Sequence, residues 1–440
     1  MRCLWALAAF PLFSFACTSS HDSGPKGDAG GDATVPLDAS DDVDSGPSSA
    51  LSHPCNLPGA IQFTANGPVT VPGGSTSWSN LSFLTLPAGF CAHYFGNVGN
   101  ARQLRFAPGG ELFVGSPTTS TTGGGANGAG AILVLPDDDL DGVADAPATF
   151  LGSLASTQGM LFANGYFYFQ DDINIRRLPY ANGQRTASGA PELVATLDVY
   201  TSTLHWPKTL DIADDGTIYV GNGGDQAEAC DATRPFHGGV LSIAPGGGAP
   251  QQIAKGFRNP IAIRCARGKN HCFAIELAKD YSATQHGREK IVPIHQGDDW
   301  GFPCCATQGI PYSDAPAGTD CSGVTADTNS FLIGDTPFGL DFESGHWGGQ
   351  WGGRAYVATH GAAGSWYGTR IVAIPMDPTS GLPQPSSDTD GNDDGMVDFA
   401  TGWDDHSRAH GRVAAVVFSA DGRLFVANDN NGDIFWIAAM

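Results

Sequence analysis

Basic side chains are scarce in this chain: 22 Lys and Arg stand against 45 Asp and Glu in 440 residues, a formal net charge of −23. So acidic a protein repels phosphate backbones, which makes nucleic acid an unlikely partner. Helical periodicity is rare along the sequence, and no CxxC pair with matching histidines marks a thiolate metal site. The marked apolar run at the start, MRCLWALAAFPLFSFAC, is too short to span a bilayer and reads as a secretory signal peptide over residues 1–16. Glycine, by contrast, is abundant at 60 residues, which suits a fold built on tight turns.

Export is the first expectation. Cys17 closes the apolar run at the place where a bacterial lipoprotein carries its lipidated cysteine, although Ser14-Phe15-Ala16 lacks the usual Leu of that signal. Two outcomes stay open: a membrane tether through acylated Cys17, at the periplasm or cell surface, or plain secretion after cleavage nearby. Residues 17–54 form a Ser-, Gly- and Asp-rich tether that has too little apolar surface to offset chain entropy, so disorder is expected there. Setting aside Arg2 and the tether's seven Asp and one Lys leaves −18 for residues 51–440.

Six segments then share one pattern, a strand end, a small-residue turn and a new apolar strand: FAPGGELFVGS (106–116), LFANGYFYFQ (161–170), IADDGTIYVGN (212–222), RCARGKNHCFAIE (264–276), GGRAYVATHG (352–361) and FSADGRLFVAN (418–428). Each reads as a hairpin followed by a further apolar strand such as GAILVLP or GGVLSIAP. Repeats of about 50 residues with several strands apiece indicate a β-propeller, because one blade cannot bury both faces alone. The expectation is all-β: a six-bladed β-propeller over 55–440, with 81–95 supplying the outer strand that closes the ring. Residues 310–335 are expected as an insertion between the fourth and fifth blades.

Eight cysteines remain in the exported body, an even number that favours disulfides in an oxidising compartment. Cys265 and Cys272 flank a hairpin turn, Cys55 can pair with Cys91, and Cys304 or Cys305 with Cys321 or Cys230.

In a propeller the first strand of each blade lines the axis, so the residues entering those strands meet at one mouth. Reading back roughly seven to eleven residues from each turn, one strand plus its lead-in, gives Arg102, Gln158, His205, Arg258 with Asn259, and His410 with Arg412. Arginines at repeat-equivalent places in so acidic a chain suit an anionic ligand, while pairing with Asp between blades is the structural alternative. His205 is the candidate base, since imidazole accepts a proton near neutral pH.

At these residues the chain resembles the soluble quinoprotein glucose/sorbosone dehydrogenase family. HWPKTLDIADDGTIYVGNGGDQ, KGFRNPIAI, DDWGFPCC, GGRAYVATHG and HGRVAAVVFSADGRLFVAND carry the resemblance, which spans about residues 84–440, and GFRNP followed by WGFP is its most specific part. The resemblance implies a six-bladed propeller that holds pyrroloquinoline quinone, usually with calcium. It implies oxidation of sugar or related hydroxyl and aldehyde substrates and transfer of the electrons to an external acceptor. By the same resemblance His205 is the base as hydride passes to the quinone, Arg258 and Asn259 contact quinone oxygens, Arg412 meets a cofactor carboxylate, and Gln158 positions the sugar. Arg102 and His360 join the cofactor set, His360 standing where the glucose enzymes have a lysine. Leu204 replaces the acidic residue expected before the catalytic histidine, and the loop after the fourth hairpin lacks the usual calcium sequence, leaving Glu276 and Asp280 as substitutes. A non-catalytic, surface-displayed binding propeller is the alternative reading.

Two acidic loops form a separate group. Asp137, Asp139, Asp141 and Asp145, and likewise Asp390, Asn392, Asp394 and Asp398, place hard oxygens at alternate positions with a Gly, as at the start of an EF-hand loop without its closing Glu. Structural calcium at blade-linking loops is the expectation.

Overall fold

A computed structural model describes residues 51–116, 130–197, 205, 207–224, 229–230, 238–279, 288–362, 367–387, 395–404 and 409–440. The leader, Cys17 and the tether as far as residue 50 lie outside these residues, as do Leu204, Asp280, Asp390, Asn392 and Asp394. The described residues contain no α-helix; most of their strands form six antiparallel blades, with Ser386–Ser387 added in parallel to the edge of blade 4 and a separate ribbon of Cys305–Thr307 with Ile310–Pro311.

Blade 1 runs Gln103–Phe106, Leu112–Ser116, Gly130–Leu135 and Ala148–Leu154; blade 2 runs Met160–Ala163, Tyr166–Asp171, Asn174–Pro179 and Glu192–Thr196. Blade 3 is Leu210–Ile212, Ile218–Gly223, Gly238–Ile243 and Gln251–Lys255. Blade 4 is Asn259–Ala266, His271–Leu277, Arg288–Pro293 and Asn329–Leu332, and blade 5 is Pro337–Phe342, Arg354–Thr359, Arg370–Pro375 and Val397–Ala400. Blade 6 joins Arg412–Phe418, Leu424–Asp429 and Asp433–Ala439 to Phe90–Asn97, so the outermost strand comes from the other end of the chain and closes the ring. The hairpin Ile61–Thr64 and Gly67–Thr70 extends this blade further outward, a feature the sequence pattern did not indicate.

Three of the six repeated turns share one geometry. Gly110, Gly216 and Gly422 donate N–H to Ala107, Ala213 and Ser419 at 2.9, 2.9 and 3.0 Å, and each takes a positive φ of 95°, 83° and 82°. Only glycine adopts that conformation without strain, which is why the small-residue signature recurs. Strands on either side carry apolar residues that pack between blades, such as Phe113, Phe167 and Phe169 in one cluster and Val426, Phe435 and Ile437 in another.

All eight body cysteines pair: Cys55–Cys91, Cys230–Cys304, Cys265–Cys272 and Cys305–Cys321. The insertion falls at a different place from that expected. Asn329–Leu332 is the fourth strand of blade 4, so the long loop lies inside that blade, between its third and fourth strands, because the polar run hides a short strand of Asn-Ser-Phe-Leu.

The inner strands end at a charged cluster that fills the far end of the axis. Asp211 is fully buried and contacts Arg105, with Arg264 and Arg267 at 3.6 and 3.5 Å and the Cys265 N–H at 2.9 Å. Asp341 accepts from Arg264 Nε at 2.8 Å and from the Phe418 N–H at 2.7 Å.

Candidate active site at the axial mouth

The other mouth is formed by the residues that enter each inner strand and those that end each second strand, which lie side by side because the two strands are antiparallel. Blades 1, 5 and 6 contribute one group. Asp429 Oδ2 lies 2.8 Å from His360 Nε2 and 3.3 Å from Arg102 Nη1, and the Arg102 guanidinium sits 4.8 Å from the centre of the Phe338 ring. Arg412 donates from Nε to the His360 carbonyl at 2.8 Å and from Nη2 to the Gly361 carbonyl at 2.5 Å. Burial pushes the Asp429 carboxyl up, but His360 and Arg102 outweigh it and hold it at about 2. Burial, with help from Arg412 and Arg102, takes His360 down to about 4 against the pull of Asp429.

Blades 2, 3 and 4 contribute the second group. His205 is 4 % exposed, and its Nδ1 lies 2.7 Å from the Gly224 carbonyl. A carbonyl can only accept, so Nδ1 carries the proton and Nε2 is left as the basic nitrogen. The backbone at Gly224 thus orients the ring where an acidic side chain at 204 is missing. Burial and the Arg258 charge lower the imidazole to about 4, which keeps it neutral at physiological pH. Lys208 Nζ donates to the His205 carbonyl at 2.9 Å, and burial brings this ammonium down to about 8. The Gln170 carboxamide oxygen accepts from the backbone N–H of Lys208 at 3.0 Å and of Gln158 at 3.1 Å, tying blade 2 to the histidine segment.

Close approach depends on glycine here. A Cβ at Gly159 would lie 2.0 Å from the Lys208 carbonyl, and one at Gly223 would lie 2.6 Å from Asn259 Oδ1 and 2.7 Å from His205 Cβ. Arg258 is held by its backbone, with its N–H on Glu276 Oε1 at 3.0 Å and its carbonyl accepting from Gly224 at 2.8 Å.

Several buried polar atoms in this second group have no hydrogen-bond partner among the described residues: both amide atoms of Gln158, Asn222 Oδ1 and Asn259 Oδ1, on residues 0, 1 and 2 % exposed. Leaving such atoms unpaired costs about 1–3 kcal/mol each, so their concentration at one mouth points to a ligand or water that completes them.

Of the expected rim, Arg102, His360 and Arg412 fall in the first group and Gln158, His205, Arg258 and Asn259 in the second. His410 stacks on Phe83 at 4.0 Å between ring centres. Asp429, Asn222, Lys208 and Gln170 were not singled out from the sequence. Asp429 and Asn222 end second strands, so the repeat that located the entering residues could have located them too. Glu276, considered above as a calcium ligand, is buried, its Oε1 accepting the Arg258 N–H at 3.0 Å and its Oε2 3.8 Å from Lys290 Nζ.

The first acidic loop connects the third and fourth strands of blade 1 and reaches across to blade 6, where the Gly142 carbonyl accepts from Trp436 Nε1 at 2.9 Å. Carboxylate oxygens of Asp137, Asp139 and Asp141 lie within 4.8 Å of one another. Asp145 instead accepts the Asp138 N–H at 2.9 Å. Of the second loop, Asp398 lies in the strand Val397–Ala400 and pairs with Arg370 Nε at 2.7 Å.

The fold and this mouth define an all-β propeller of six blades with polar side chains gathered where the inner strands begin. A sequence-family model described as a domain of unknown function, DUF7133, matches residues 81–283. No curated protein matches the chain by sequence. Among solved structures, a Trichoderma reesei carbohydrate-active enzyme of family AA12 aligns at 17% identity and a TM-score of 0.67 over 84% of this chain and 100% of its own. The pyrroloquinoline quinone domain of pyranose dehydrogenase from Coprinopsis cinerea, in its holo form, aligns at 15% identity and a TM-score of 0.66 over 83% and 98%. Aldose sugar dehydrogenase from Streptomyces coelicolor, in its quinone-bound form, aligns at 17% and 0.54 over 81% and 100%. The chain shares the fold of these proteins, the fold that the sequence resemblance implied.

Proposed function

We propose that the chain is an exported quinoprotein oxidoreductase that takes pyrroloquinoline quinone at the axial mouth and oxidises a sugar or related hydroxyl or aldehyde compound, passing the electrons to an external acceptor. The observation that carries this reading is the pairing, at one mouth, of a neutral buried imidazole of fixed tautomer with arginines and unpartnered carboxamides. The residues suit the group: a planar tricarboxylate calls for guanidinium and amide donors, supplied by Arg258, Arg412, Arg102, Asn259 and Gln158, with the His360 imidazole beside them on Asp429. The quinone supplies a two-electron acceptor when bound. His205 takes the substrate hydroxyl proton at Nε2, with the Gly224 carbonyl steadying the imidazolium that forms. Arg258 offers positive charge where negative charge develops, and Gln158 and Asn222 present amide groups that orient hydroxyls. The three clustered carboxylates of Asp137, Asp139 and Asp141 hold calcium in a structural role, fastening blade 1 to blade 6.

The test is to incubate the purified protein with pyrroloquinoline quinone and calcium and follow reduction of a dye with aldoses. Dye bleaching that depends on both quinone and sugar supports the reading; absence of both quinone binding and dye reduction overturns it. A binding propeller without catalysis is favoured by one feature, the internal pairing of His360, Asp429 and Arg102, which resembles a structural ion-pair network. Calorimetry with the quinone separates the two, since only the oxidoreductase needs to bind it. An address at the periplasm or cell surface, through acylated Cys17 or by secretion, completes the proposal.

A further inference from the structure

A cavity of about 350 Å³ lies on the flank of the ring, against the fourth strand of blade 6, Phe90–Asn97, rather than at the inner strands that form the axial mouth. It is bounded by Ser77 and Trp78, by Tyr94 to Asn97 of that strand, and by Val143 to Pro147 of the acidic loop. Its volume is within the ~300–1,000 Å³ of ordinary small-molecule sites.

Two aromatic rings form one wall. Trp78 and Tyr94 lie nearly parallel, at 18° with centres 6.1 Å apart, and the indole edge meets His93 at 5.2 Å, which itself stacks on buried Trp436 at 5.0 Å. Glycines seat the indole: a Cβ on Gly59 or Gly74 would come within 2.5 or 3.1 Å of Trp78 Cζ3. The ring is thus held in place before any ligand arrives, which lowers the entropy lost on binding. Hydroxyl and carboxylate groups of Ser77 and Asp145 stand at the rim, and Asp145 is exposed.

The chemistry selects a class of ligand. No Lys or Arg lines the cavity, and Asp145 brings negative charge, so anions are disfavoured. A broad aromatic face matches a compact ring with C–H groups on one side, and the rim acceptors match hydroxyls at its edge. We propose that this cavity is a second saccharide-binding site, which holds a neutral pyranose unit apart from the axial mouth. The assignment does not rest on the oxidoreductase reading, because it concerns binding alone.

Isothermal titration of the full chain, in calcium, with cellobiose, maltose and xylobiose tests it. At least one sugar binds, Trp78→Ala weakens that binding about tenfold, as expected for loss of a stacked ring, and Asp145→Ala weakens it several-fold. The His205→Ala variant binds as the parent does, which separates this site from the axial mouth and from the fate of the oxidoreductase reading. Failure of all three sugars to bind, or binding that survives both Trp78→Ala and Asp145→Ala, overturns the proposal. So does loss of binding in His205→Ala, or tighter binding of tetramethylammonium than of any sugar. If Trp78→Ala loses its near-ultraviolet dichroism, the exposed Asp145 position decides alone.

Discussion

The two ends of the propeller axis are built by the same six inner strands yet differ in one respect. At the far end the buried charges of Asp211 and Asp341 are met by Arg105, Arg264, Arg267 and backbone N–H groups. At the near end Gln158, Asn222 and Asn259 keep buried amide atoms unpaired. Both ends bury polar groups, so burial alone does not distinguish structure from function. Satisfaction does: among the described residues the hydrogen bonds close internally at the far end and stay open at the near end, as the proposed function requires.

The sharpest test of this contrast is His205→Ala, which lowers kcat of the quinone-loaded protein by roughly 10²–10⁴ with little change in quinone affinity, as measured by dye reduction and calorimetry. Next, Arg258→Met costs about 10²-fold in kcat through lost charge stabilisation, while thermal unfolding barely moves. At the far end the pattern inverts: Asp211→Asn leaves Arg105 without its counter-charge, while Arg264 keeps Asp341, and destabilises by about 3 kcal/mol with quinone affinity unchanged. A Asp211→Asn variant that lost quinone binding but kept its stability would erase the distinction between the mouths.

Acid gives a smaller, graded signal. His205 and His360 titrate near 4 in the folded protein, below the ordinary histidine value of 6.5. Between those values the unfolded chain binds protons that the folded chain does not, so stability falls as pH drops from about 6.5 to about 4 and then levels for these groups. The base itself stays neutral through most of that window, so kcat declines only as pH approaches 4; denaturant melts and rate profiles measured together separate the two. Smallest of all, chelating calcium lowers the unfolding temperature by a few degrees, and Asp139→Asn removes the calcium dependence.

The ring was legible in the sequence because its turns demand glycine: Gly110, Gly216 and Gly422 recur with the same positive φ and the same closing hydrogen bond. The entering residues were legible by counting from those turns. Asp429 and Asn222 were passed over although they stand at the ends of second strands, which the same count from the turns fixes. The orienting partner of His205 was not legible, because a backbone carbonyl leaves no mark in the side-chain pattern. Asn329–Leu332 was hidden for a related reason: a four-residue strand after a polar loop is too short to show alternation.

The pairing of Asp433–Ala439 with Phe90–Asn97 brings together segments more than three hundred positions apart. Five blades can zip locally as the chain emerges, but the circle is sealed only when its last hairpin finds a strand made long before. Until then the outer edges of both partners stand open to solvent and to other chains. Removal of Asp433–Ala439 would therefore take away the strand that joins Leu424–Asp429 to Phe90–Asn97, and leave the ring unsealed.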